Sequence, residues 1–222
     1  MGSAIGEMLP LAIGIAISPT TITATVLMLL SNATSRTLGL LVGCVVGVGG
    51  AVALFSLLST LLPAQDSDGP TPLAEVIIIA AGAFFLVLAG SQWRGRPATG
   101  EPAELPKWLT AADSLTPVKA LLLGLLLSAV VPKNLLLALS AGVIVGEAAL
   151  SGRQAVIVIL IFTVIATSTV AVPVVAHLVA PARMSGPLGQ LREWLVHNNV
   201  AIMVVVLLVI GVVMIGNGIG RF

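Results

Sequence analysis

The stretch Ala16-Ile-Ser-Pro19-Thr-Thr-Ile-Thr-Ala-Thr25 sets a proline, flanked by small polar residues, inside an otherwise apolar run. A second stretch, Ala129-Val-Val-Pro132-Lys-Asn-Leu-Leu-Leu-Ala138, repeats the pattern. Superposing Pro19 on Pro132 pairs Ala16 with Ala129, Ile17 with Val130 and Ile22 with Leu135. The polar positions match as well, Thr20 with Lys133 and Thr21 with Asn134. Proline lacks an N–H and clashes with the carbonyl one turn earlier, so each stretch reads as a broken helix. Lipid offers the freed backbone groups no partner, and inside a membrane they must face protein, a polar side chain or water.

Composition places both stretches in a membrane. Of the 222 residues 58% are hydrophobic and 9% charged, with mean hydropathy +1.15. A soluble domain carries about a quarter charged residues, and this chain has too few to cover such a surface. The net charge of +1 argues against a nucleic-acid partner, which requires a basic face.

Six runs reach the roughly 20 apolar residues that a span needs: 8–31, 38–62, 73–92, 117–146, 155–180 and 200–219. The first is interrupted at Ser18-Pro19, the fourth at Pro132, and Pro173 lies near the end of the fifth. The expected architecture is all-α: a three-helix repeat over 1–92, a linker over 93–116 and a second repeat over 117–222. Three spans per half is an odd number, so the second half enters from the opposite face and the repeats are inverted. Spans three and six show a looser likeness, Phe85-Leu-Val-Leu-Ala-Gly90 against Val212-Val-Met-Ile-Gly216. Loops after spans one, three and five carry Arg36, Arg94, Arg96, Lys107, Lys119, Arg183 and Arg192, against Arg153 and Arg221 on the other side. The positive-inside rule then puts the linker, with a short interfacial helix at Trp108, in the cytoplasm and both termini outside a plasma membrane.

Lys133 is the most informative single residue. A lysine near the centre of a span costs about 2.5–3.5 kcal/mol on insertion scales, so it faces the bundle interior or a wet cavity and has a partner. Glu7, Glu75 and Glu147 all fall near span ends. The partner is then Asn134, the threonines after Pro19, freed carbonyls or an anionic group of a substrate. The expected substrate-binding set is Pro19, Thr20, Thr21, Pro132, Lys133 and Asn134. Thr163 and Thr167 join it from the polar patch Thr163, Thr167, Ser168, Thr169, because they share a face at i, i+4. A structural lysine bonded to carbonyls, and threonines bonded to their own backbone, are the plain alternatives.

Other features are bland. Cys44 reads as a small core residue, and Cys44, His177 and His197 make no set with metal-ligand spacing. No metal or cofactor is expected, and no catalytic pair or phosphate loop suggests an enzyme. Gly39, Gly43 and Gly47 share one face and suggest a close helix contact, within the chain or in a homodimer.

At the paired proline motifs the chain resembles the LysE-type superfamily of six-span exporters. Its fourth-span motif, Val131-Pro132-Lys133-Asn134, keeps Pro-Lys and replaces a preceding Asn with Val; Ser18-Pro19-Thr20 lacks the Pro-Gly-Pro of amino-acid exporters. The run Pro-Lys-Asn-Leu-Leu-Leu-Ala-Leu-Ser-Ala-Gly and the long linker look closer to the actinobacterial GAP/Sap branch, the glycolipid- and sulfolipid-addressing proteins. That resemblance implies movement of a cell-envelope glycolipid or its precursor across the inner membrane, with membrane lipids as partners. Export of a small metabolite such as an amino acid, and a scaffold for envelope-lipid synthesis, are the alternatives.

Overall fold

The computed structural model describes residues 1–31, 34–61, 72–96, 115–148 and 150–219, and these are helical apart from short connections. The helices are α1 Gly2–Ala16, α2 Pro19–Leu30, α3 Thr34–Leu61, α4 Pro72–Arg94, α5 Pro117–Ala129, α6 Pro132–Glu147, α7 Gly152–Val179 and α8 Pro181–Ile219. The expected turn over 63–72 falls, up to residue 71, outside the described residues, as do linker residues 97–114 with Trp108.

Among the described residues, three helices are long and apolar enough to cross a membrane: α3 over Thr34–Thr60, α7, and α8 over Pro181–Gly216. Two bent pairs bring the number to five when each is one span: α1 with α2, bent by 54°, and α5 with α6, bent by 67°. The breaks fall at the two prolines read from the sequence, each proline opening the helix that follows. Large apolar side chains point outward along these helices. On α7, Val164 is 66% and Val172 65% exposed, while Thr163 and Thr167 are buried. Valine outside and threonine inside is the pattern of a protein whose outer solvent is lipid. The chain is a membrane protein.

Packing gathers the chain into two compact units that cut across its sequence halves. One comprises Met1–Pro63 with Leu105–Leu195, and the other Ala64–Glu104 with Val196–Phe222. In the first, α3 is the central post, with α5 its most extensive neighbour and α6 next. Glycines permit that approach: a Cβ at Gly39 would lie 2.5 Å from the Pro117 carbonyl oxygen, and one at Gly43 would overlap that of Leu121. Gly124 of α5 returns the contact against Leu40. Lipid tails are as apolar as leucine, so close packing of small residues holds such helices together. The Gly39, Gly43, Gly47 face thus packs closely against α5 within the chain. Cys44 is buried in this seam with Ala24, Met28, Leu40 and Ala120.

In the second unit, Gly82 of α4 and Gly211 of α8 approach each other, each hypothetical Cβ falling within 3 Å of the other's carbonyl oxygen.

One boundary is corrected. The sixth span was expected over 200–219 after a loop, yet α8 is a single helix of 39 residues starting at Pro181. Its first turns carry Met184, Leu188, Leu191 and Leu195 at helical spacing. Leu188 packs with Val26, Leu29 and Val174, and Met184 and Leu191 lie against the same cluster. An amphipathic stripe therefore continues the helix where polar residues suggested a loop.

Candidate functional site

At the first break α1 ends in a tight turn. Ile17 has φ −80° and ψ 73°, and the Ser18 N–H donates to the Ala16 carbonyl at 2.9 Å, which makes an inverse γ-turn. Ser18 is extended, as the residue before a proline must be. The turn redirects donors that would have closed the helix. Ser18 no longer serves Gly14, and Pro19 has no N–H for Ile15.

Side chains from other helices fill the gap. The Lys133 ammonium donates to the Gly14 carbonyl at 2.7 Å and to the Ile17 carbonyl at 3.0 Å. The Thr169 hydroxyl of α7 donates to the Ala16 carbonyl at 2.7 Å. Lys133 is 4% exposed and lies in the first turn of α6, where the helix dipole disfavours a cation. Its charge is instead stabilised at the negative end of α1.

The second break closes upon itself. Leu127 would have paired with the Val131 N–H in an unbroken helix, and its carbonyl accepts from Asn134 Nδ2 at 2.9 Å. Ser128 donates to Gly124 at 2.7 Å. Asn134 is 1% exposed, and its Oδ1 is buried with no hydrogen-bond partner in the structure.

A cavity of about 10 Å³, room for about one water, lies between the breaks. Ile15, Ala16, Ser18 and Thr21 line it from the first break, Ser128 and Asn134 from the second. Thr167 and Thr169 line it from α7, and Cys44 and Val48 from α3. The Ser18 and Thr21 hydroxyls are 3.1 Å apart and share a hydrogen bond.

The expected residues separate accordingly. Pro19 and Pro132 shape the breaks, Lys133 joins them, and Thr21, Asn134 and Thr167 reach the cavity. Thr20 is half-buried and lies off it. Thr163 donates to the Ile159 carbonyl of its own helix at 2.8 Å and packs near Gly49. Thr167 likewise donates to Thr163 at 2.7 Å. Sequence spacing passed over Thr169, the residue of that patch which reaches another helix, because the i, i+4 rule says nothing of which helix lies alongside. Ser128 carried no signal beyond being a serine in an apolar helix.

Among the described residues, no group of three or more His, Cys, Asp or Glu is placed to hold a metal ion. His177 is buried in the last turn of α7, with Nδ1 lacking a hydrogen-bond partner.

Searches for similar curated proteins and for similar solved structures gave no match. A family model, described as Sap, sulfolipid-1-addressing protein, matches residues 8–220, nearly the whole chain. The chain belongs to the family of Sap, sulfolipid-1-addressing proteins.

Proposed function

We propose that this protein is a secondary transporter, acting as an exporter or flippase, that moves an anionic cell-envelope lipid or its precursor across the plasma membrane. The observation that carries the reading is the Lys133 ammonium reaching from the second break to the freed carbonyls of the first. In this state the lysine is a latch. An anionic headgroup arriving between the breaks competes for it, because a charge-assisted bond to an anion is stronger than one to a neutral carbonyl. Release of Lys133 leaves Gly14 and Ile17 without their donor and lets the breaks part. Binding and opening are then one event. The family's association with a sulfolipid supports a lipid substrate.

In this reading α4 is the third span and the apolar part of α8 the sixth, which gives six spans in two inverted repeats. The basic loops lie in the cytoplasm and the termini outside. The protein does the work of a carrier, with no reaction of its own.

Proteoliposomes carrying acyl-labelled short-chain lipids test this, with movement between leaflets read by albumin extraction. The wild type should move an anionic lipid faster than a zwitterionic one, and Lys133→Gln should lose the difference. Equal movement of both lipids, or full activity in folded Lys133→Gln, would remove Lys133 as the headgroup partner. Uptake of an amino acid with no lipid movement would favour metabolite export instead. A scaffold would move neither.

A further inference from the structure

The end of α1 holds more acceptors than the backbone has donors. Pro19 has no N–H to offer Ile15, and Gly14 and Ile17 are bonded by Lys133 at 2.7 and 3.0 Å. In the adjoining cavity Asn134 Oδ1 is buried with no partner. Thr169 has given its proton to Ala16, so its oxygen has only lone pairs left to offer. These are neutral oxygens gathered at the negative end of a helix dipole. The carboxylates whose burial is described, Glu7, Glu147 and Glu193, are all exposed. A divalent ion calls for charged oxygens, whereas carbonyls of a broken helix suit a monovalent cation.

We propose that the terminal carbonyls of α1 form a monovalent-cation site, that the Lys133 ammonium fills it in this state, and that a free cation of sodium size takes its place when the lysine leaves. The ammonium is a tethered ligand of that site. Lys133 sits in the first turn of α6, against that helix's own dipole, so the bonds to Gly14 and Ile17 stabilise its charge. Once the lysine turns away, the same two carbonyls are acceptors without a donor, a state that a small cation relieves. The exchange rests on the proposed release of Lys133 to a headgroup. The site itself does not, and linkage then makes anion loading depend on the cation.

Thermal unfolding of Lys133→Ala and Lys133→Met in detergent tests the site without any transport measurement. Each variant and the wild type are compared in choline, sodium, potassium and methylammonium chlorides at equal ionic strength. A ligand that binds only the folded state raises its stability with concentration. Both variants should lose stability in choline and regain about 3 °C or more in sodium or methylammonium, dose-dependently. The wild type, its site filled, should unfold at one temperature in all four salts. Variants insensitive to the cation, a wild type that responds as strongly as they do, or variants that fold in none of the salts would each overturn the site. Transport can fail while this response holds, and the reverse, so the two readings fall separately.

Discussion

The two breaks share a proline and differ in who repairs them. At the second, bent by 67°, the repair is local: Asn134 reaches back seven residues to Leu127. At the first, bent by 54°, it comes from afar, with Lys133 119 residues away from Gly14 and Thr169 153 residues away from Ala16. A locally capped break keeps its shape whatever its neighbours do. A break capped by two other helices opens when they move. In the proposed transport cycle the first break is therefore the movable one and the second the frame that carries its latch.

Substitutions that break this contrast should rank by how much buried polarity they strand. Lys133→Ala removes the donor of the Gly14 and Ile17 carbonyls, and should cost the most, about 1–3 kcal/mol for each acceptor stranded. Reversible unfolding in mixed micelles measures it, and a loss below about 1 kcal/mol would show that the latch is slack. Asn134→Ala strands Leu127 but also removes the unpaired Oδ1, so a loss of about 1–3 kcal/mol is expected. Hydrogen exchange should then rise at the α5–α6 junction and stay unchanged at Ser18; a rise at both would mean that the breaks are not independent.

Thr169→Val removes one donor from Ala16, which keeps the Ser18 N–H. About 1 kcal/mol is expected. A double-mutant cycle with Lys133→Ala sharpens the comparison: coupling above about 0.5 kcal/mol is expected at a shared break, and additivity would separate the two donors. Thr167→Val should matter least, within about 0.5 kcal/mol, because its hydroxyl back-bonds a carbonyl of its own helix. A loss as large as that of Thr169→Val would mean that the cavity depends on Thr167 as well.

Much of the fold was legible because its causes are local. Apolar runs of span length located α3 and α7 to within a few residues, and the prolines located both bends. The start of α8 was not legible. Arg183 and Arg192 read as a loop, and only the cluster of Leu188 with Val26 and Val174 explains a helix there. The glycine face of α3 was legible as a close contact, and its partner α5 was not, since a small-residue stripe does not say what covers it. In the site, the depth of Lys133 marked it as partnered, while Thr163 and Thr167 followed a periodicity that proved to be intrahelical.

The sequence by itself determined that this chain lives in a membrane, that two of its helices break at proline, and that a lysine beside the second break needs a partner. These follow from covalent and compositional properties: a missing N–H, a shortage of charge, an ammonium inside an apolar run. Only the tertiary structure decided that the partner is the end of α1, that Thr169 rather than Thr163 joins it, and that the second break repairs itself. The physical reason is that proline removes a donor at a known position, while the replacement is whichever side chain the packing of distant helices brings within about 3 Å of the carbonyl.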